Sequence, residues 1–336
     1  MSRLPVSFAP REWAGAFGDL GISVPVLLAL SASGSLDLGR AMLLFGAVYI
    51  GAGLYFRVPL PVQPLKAATA VVIARGLGGW ALRACSLWMA AILLALSLTG
   101  LSQKLDRLFT RTIVRGIQLG LGLLLLRAAW KMMFFKAAAA GGAVGTVIGL
   151  PPPADVWTAL WVLVVPQLPL TLGNSVAATC DVCRGYFGSN AERVDAGRVS
   201  LSIGLANLFS SLLGGMPVCH GSGGVTAHHK FGARTAGSTM ITGALFIALS
   251  LALGSAGSAA LLRAIPGWLL GAMLAYTGLL HARLAWDREA NLLVAAAMGL
   301  VGVVSNNLSY SLALGLAAEG GAYLAGRLKA EPAAGV

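Results

Sequence analysis

Twelve apolar runs follow one another along this chain: Trp13–Leu30, Ala41–Phe56, Leu65–Ala74, Ala81–Leu98, Thr112–Ala129, Trp157–Thr179, Val199–Leu213, Gly221–Phe231, Ser238–Leu253, Pro266–Leu280, Leu292–Val304 and Leu308–Ala325. The longer ones approach the ~20 residues that carry a helix across about 30 Å of hydrocarbon. Where no water reaches the backbone, its N–H and C=O groups must pair within the segment, as they do in a helix. Composition agrees. The 336 residues are 57% hydrophobic and 11% charged, with mean hydropathy +0.81, against about 25% charged in a soluble domain. Such a chain cannot cover a water-facing surface, and it reads as an all-α polytopic membrane protein.

The net charge of +12 does not point to nucleic acid, because the 24 Lys and Arg lie scattered through the loops. With the N-terminus in the cytoplasm, sixteen of them fall on the cytoplasmic side, seven on the other, and Lys66 within the membrane. That excess is the positive-inside asymmetry of inserted helices. It puts both termini in the cytoplasm and the chain in the plasma (inner) membrane. One stretch, Lys131–Asp155, is rich in Ala and Gly and ends in Pro151-Pro152-Pro153. Charge parity allows it no crossing or two, giving 12 spans or 14. Residues 1–11 lack the apolar core and cleavage site of a secretory signal, so the first run is expected to be retained. Four cysteines (Cys85, Cys180, Cys183, Cys219) in or beside apolar runs do not suggest a disulfide framework.

Two of the runs are short and proline-led. Pro59-Leu60-Pro61-Val62-Gln63-Pro64-Leu65-Lys66 precedes one, and Met216-Pro217-Val218-Cys219-His220-Gly221-Ser222-Gly223-Gly224 precedes the other. Paired broken segments at corresponding places in two halves mark the solute site of a transporter. The halves also share a second match in the same order, Leu20-Gly21-Ile22-Ser23-Val24 with Leu172-Gly173-Asn174-Ser175-Val176. Five spans before the second copy would invert it, so residues 1–150 and 151–336 read as inverted repeats in one transmembrane unit. On that register Lys66 and Ser222 are equivalent positions.

A half-helix that starts near the midplane points unpaired N–H groups, and about half a positive charge, at whatever lies there. Two such ends and the Lys66 ammonium give about +2, which suits a tetrahedral dianion such as molybdate or sulfate. Gly221, Gly223 and Gly224 let backbone approach a ligand closely. Gln63 and Ser222 can donate hydrogen bonds, and His220 is expected to be a neutral hydrogen-bond partner. Asn174, Ser175 and the first-repeat Ser23 complete the expected lining. Asp19, between glycines in the first span, is the candidate for proton coupling, because charges within spans are costly and seldom idle. Each has a plainer alternative: Lys66 could pair with Asp19, Asn174 could tie two helices together, and Glu319 in the last span reads mainly as structural. Small-residue sets such as Gly116, Gly120 and Gly122 read as helix-packing faces. A CxxC at Cys180 and Cys183 with His228 and His229 could make a soft-metal site in a membrane enzyme; this is the weaker reading. No phosphate-binding G-x-x-x-x-G-K-[ST] loop is present. No cofactor is expected.

Several of these blocks resemble the molybdate transporter family, a branch related to the sulfate permeases. They are Gly15-Ala16-Phe17-Gly18-Asp19-Leu20-Gly21, Pro61-Val62-Gln63-Pro64-Leu65-Lys66-Ala67, Leu170-Thr171-Leu172-Gly173-Asn174-Ser175, Met216-Pro217-Val218-Cys219-His220-Gly221-Ser222-Gly223-Gly224, and Phe231-Gly232-Ala233-Arg234-Thr235. The resemblance implies a seven-plus-seven inverted repeat in which a core domain moves against a gate domain. Its third and tenth segments are the half-helices facing the substrate, matching the Pro64 and His220 segments here, and the Asp19 and Asn174 spans complete the site. It further implies molybdate import by secondary active transport with proton symport, sulfate being the alternative substrate, and homodimers. The chain is short for fourteen full spans, and no appended cytoplasmic regulatory domain is expected.

Overall fold

The computed structural model describes residues 6–102, 110–134 and 149–330. The elements are α1 (Pro10–Ala16), α2 (Leu20–Ala32), α3 (Leu38–Phe56), β1 (Val62–Pro64), α4 (Lys66–Arg75), α5 (Gly79–Leu98) and α6 (Arg111–Phe134). A long rod, α7, runs through Pro153–Ala159, Leu160–Val164, Val165–Leu170, Thr171–Ala177 and Ala178–Phe187. Then come α8 (Ala196–Leu213), β2 (Val218–His220), α9 (Ser222–Lys230), α10 (Gly237–Ala264), α11 (Gly267–Arg283), α12 (Leu292–Ser305) and α13 (Leu308–Ala330). The twelve apolar runs fall mainly on helix, and among the described residues six segments are long and apolar enough to cross a membrane by length and composition alone. Most of Lys131–Asp155, residues 135–148, lies outside the described residues.

Helix starts carry the expected chemistry. Asp37 accepts from the Arg40 amide (2.7 Å) and Asp195 from the Arg198 amide (2.8 Å). Asn291 caps α12 through the amides of Leu293 and Val294. Such caps satisfy donors that the helix leaves unpaired. The first run differs from its reading as one span, because Phe17, Gly18 and Asp19 interrupt it between α1 and α2. Gly18 lies so close to α9 that a Cβ would come 3.0 Å from the Ala227 carbonyl, and the Asp19 carboxylate is drawn to groups on other elements. The sixth run, α7, winds into wider π-helical turns at Leu160–Val164 and Thr171–Ala177, on either side of the segment that contains Pro166 and Pro169. Prolines remove ladder donors, and such bulges recur at functional sites.

The helices sort into two bodies. In one, α3 lies along α10 and α5 along α8, α1 packs on α10 and α9, and β1 and β2 contact α2, α3, α7 and α8; α4 and α9 lead off the strands in the same body. In the other, α6 packs against α11 and α12, and α13 packs on α12. Thus the first half supplies one described helix to the second body and the second half supplies three. Small residues make the contact: a Cβ on Gly122 would lie 2.6 Å from the Ala282 amide nitrogen and 2.7 Å from the Gly278 carbonyl. Gly116 likewise faces Met298, and Gly120 faces Leu308. Arg115 of α6 pairs with Asp287 (2.8 Å) in the loop between α11 and α12. The Glu289 amide and Arg115 hold this carboxyl below the usual range, so the link is present at neutral pH and is lost only as pH falls below about 4.

Gly122→Ala should therefore lower the thermal midpoint of the purified protein, by about 1–3 kcal/mol of overpacking. Gly51→Ala, in α3 with nothing within 4 Å of the new methyl, should leave it unchanged or raise it. Melting followed by size-exclusion chromatography distinguishes the two. Equal midpoints would remove Gly122 as a packing contact.

Candidate anion-binding site

The centre of the molecule is built by two strands of three residues each. β1 and β2 pair antiparallel, with Val62 opposite His220, Gln63 opposite Cys219 and Pro64 opposite Val218. All six residues are buried. Leu65 extends the pairing by donating to the Pro217 carbonyl (3.0 Å). The residues that the sequence register equates, Gln63 and Cys219, are thus the pair that faces itself, so a local two-fold axis passes between them. Asn207 of α8 closes the open edge of β2, donating to the Val218 carbonyl (2.6 Å) and accepting from the Val218 amide (3.0 Å).

From this cross-over α4 and α9 lead away, with Lys66 and Ser222 as their first residues. Their N-termini are finished differently. The amides of Ala67 and Ala68 both donate to Gln167 Oε1 of α7 (2.9 and 3.2 Å), and Gln167 Nε2 donates to Thr171 (3.0 Å). At α9 no side chain caps the end, and a helix leaves its first amides without internal partners. Ser222 Oγ donates to Asn174 Oδ1 (2.7 Å) on the π-helical stretch of α7. Among the described residues the Lys66 ammonium has no hydrogen-bond or ion-pair partner. Lys66, Asn174 and Ser222 are half-buried and Gly223 is exposed, so these four remain reachable.

Behind them lies a sealed polar layer. Asp19 is fully buried; Tyr49 of α3 donates to its Oδ2 (3.1 Å), and Gln63 Nε2 donates to its Oδ1. Ser23 is buried beside Asp19 and Tyr49 without a hydrogen bond of ordinary geometry among the described residues. Ser175 is buried beside the Cys219 thiol. Gln63 packs on Gly221 and Gly224, where a Cβ would come within 2.1 Å of Gln63 Oε1 and 2.6 Å of Nε2. Glycine is the one residue that leaves room there.

His220, expected among the ligand's partners, has both ring nitrogens engaged inside the fold: Nδ1 with the Pro61 carbonyl (2.9 Å) and Nε2 with Ser202 Oγ (3.0 Å). Strand alternation turns it towards α8, away from the first turn of α9. Among the described residues no three Cys, His, Asp or Glu side chains group as metal ligands. Cys180 and Cys183 are buried, His228 faces Ser238 (3.1 Å), and His229 stacks on Tyr186. The sequence reading missed four participants: Tyr49, Gln167, Asn207 and His281. Gln167 could have been found, since it is the one amide in an apolar run flanked by Pro166 and Pro169. His281, buried on α11 with Nδ1 unpartnered, is the electrostatic neighbour that the second body brings to Lys66. A groove of about 460 Å³ between α3 and α8 is apolar and separate from these groups, except that Ser202 lines it.

A family profile described as the molybdate transporter of the MFS superfamily matches residues 11–125 and 159–280. The chain belongs to the molybdate transporter family. It is similar to Molybdate transporter 1 of Arabidopsis thaliana, 28% identical over 82% of this chain and 80% of the relative. Molybdate transporter 2 of the same plant is 26% identical over 87% of this chain and 83% of the relative. In fold it is similar to the transmembrane domain of the cyanobacterial bicarbonate transporter BicA (TM-score 0.61, 18% identity, 91% of this chain and 98% of that one). It also resembles SLC26A9 (TM-score 0.63, 13% identity, 93% of this chain and 64% of that one). The fold is the inverted-repeat fold of these transporters. In it α6 and α11–α13 form the gate, and the remaining elements form the core that carries the two half-helices.

In this transporter Asn207 holds β2 from one side. Asn207→Leu would leave the Val218 N–H and C=O buried and unpaired, a loss of about 2–4 kcal/mol. Thermal unfolding of the purified variant measures it, and an unchanged midpoint would mean that Asn207 does not fix the strand.

Proposed function

We propose that this protein imports molybdate by alternating access of the core past the gate, with a proton moving alongside. One observation carries this reading: an unpaired Lys66 ammonium stands at one half-helix opposite the uncapped end of the other, in a member of this family. Lys66 would supply the charge. The Ser222, Gly223 and Gly224 amides, the Ser222 hydroxyl and Asn174 would supply the hydrogen bonds, from the reachable side. Gln63, Ser23 and Ser175 would support from beneath, and His220 would hold the strand pair.

Charge supports the coupling. Two half-helix ends and Lys66 sum to about +2, which ionised Asp19 reduces to about +1. A dianion is balanced only when Asp19 takes up a proton, so one proton per anion follows. The inverted repeats at 1–150 and 151–336, cytoplasmic termini, residence in the inner membrane and a homodimer are parts of the same reading.

The test is uptake of labelled molybdate into proteoliposomes, with and without an inward proton gradient. Uptake should be driven by the gradient and blocked by excess tungstate. Competition by sulfate as strong as that by tungstate would make the protein a general dianion carrier. Lys66→Ala should weaken anion binding at least about 100-fold while leaving the elution profile intact. Lys66→Arg should retain part of it. Unchanged affinity in Lys66→Ala would overturn the site.

A further inference from the structure

Gln63 touches both the buried carboxylate and the first turn of α9. Its amide nitrogen donates to Asp19 Oδ1, and its Oε1 is buried against Gly221 with no hydrogen-bond partner among the described residues. An orphaned carbonyl oxygen in a fully buried side chain is an unfavourable arrangement. Here it is enforced by Asp19. An ionised carboxylate only accepts hydrogen bonds, so it claims the NH₂ end, which lies beside Gly224, and leaves the oxygen against Gly221.

We propose that Gln63 is a positioning residue whose amide reverses when Asp19 is protonated, so that a proton on Asp19 converts the group presented to Gly221, just ahead of α9, from acceptor to donor. A protonated Asp19 can donate its O–H to Gln63 Oε1. The amide then turns over, the orphaned oxygen gains a partner beside Asp19 and Gly224, and the NH₂ group faces Gly221. The proton ends on the Asp19 carboxyl; no other bond changes. An anion ahead of α9 therefore meets two changes: a negative charge is removed below it, and at Gly221 a carbonyl dipole is replaced by an N–H dipole. Asp19 faces Tyr49 of α3, Gln63 of β1, Lys66 of α4 and Cys219 of β2, with Ser23 one turn along α2, while α9 offers it only Gly224. From α10, Thr242 reaches the same break by donating to the Ala16 carbonyl (3.2 Å). His281 of α11 faces Lys66. Of these groups Gln63 alone joins Asp19 to α9 by a group that can present either a donor or an acceptor.

This inference rests on the reading of the site as an oxyanion site. It is tested by molybdate binding to purified protein in nanodiscs between pH 5.5 and 8. In the wild type, affinity should rise by up to about tenfold per unit fall in pH, the slope of one proton taken up per anion. Asp19→Asn removes the charge at every pH and offers an NH₂ group that can donate to Gln63 Oε1, so it should bind at pH 8 as the wild type does at its acidic limit, without pH dependence. Adding Gln63→Met or Gln63→Glu to Asp19→Asn should abolish at least tenfold of that gain, since neither side chain can turn an NH₂ group towards α9. If the double variants bind like Asp19→Asn alone, only the charge of Asp19 matters and the amide switch is wrong. Absence of tightening at pH 8 in Asp19→Asn overturns it equally, and that arm needs no substitution at Gln63. A wild type that binds molybdate with no pH dependence would sink the switch and spare the site. One that binds no molybdate at any pH would sink the site itself.

Discussion

Everything at the centre of this transporter depends on six residues of extended backbone finding hydrogen-bond partners where no water is available. An unpaired peptide group in hydrocarbon costs several kcal/mol, so two half-helices can begin in mid-membrane only if their leading strands satisfy each other. β1 and β2 do this for one another, and Leu65 with Pro217 and Asn207 with Val218 finish the edges. Remove that pairing and neither Lys66 nor Ser222 has a fixed address. The candidate anion site is thus a by-product of backbone satisfaction: the same turn that ends each strand aims a helix start at its neighbour.

Around this cross-over the two half-helices have been finished to different ends. α4 brings a full charge and has its free amides closed by Gln167, so it works as a cation on a rigid post. α9 brings no charge but keeps its first amides open behind glycines that admit no side chain. Packing enforces the division, since any Cβ at Gly221 or Gly224 would collide with Gln63. The long cores on either side, α3 against α10 and α5 against α8, hold the posts still. The gate meets them through Tyr276 near Gly21 and His281 near Lys66.

Much of this could be read in the sequence because breaks in an apolar run are loud. Prolines at 59, 61, 64 and 217 announced both half-helices, and the match of Pro61-Val62 with Pro217-Val218 made Lys66 and Ser222 equivalent in register. What was silent is side-chain direction and long-range partnership. His220 sits in the same block as Gly221 and Ser222, yet strand alternation turns its ring to Pro61 and Ser202; sequence adjacency carried no information about facing. Tyr49 and His281 lie in ordinary apolar helices, and only the fold brings them to Asp19 and Lys66. The interruption at Phe17–Asp19 was equally hidden, because its cause is the close approach of α9, far along the chain. The small-residue faces at Gly116, Gly120 and Gly122 were legible because their spacing suits helix packing, and the gate uses them so.

The pairing of Gln63 with Cys219 has one more consequence. A two-fold axis makes the backbone of the two halves interchangeable, so a carrier with identical chemistry on both sides would rest equally well facing either compartment. Here the axis passes between an amide and a thiol, and the buried acid belongs to one half alone. In the alternating access proposed above, the two access states are therefore related by rotation in backbone shape but unequal in energy. That inequality gives the resting protein a preferred direction to face before any solute or gradient acts on it.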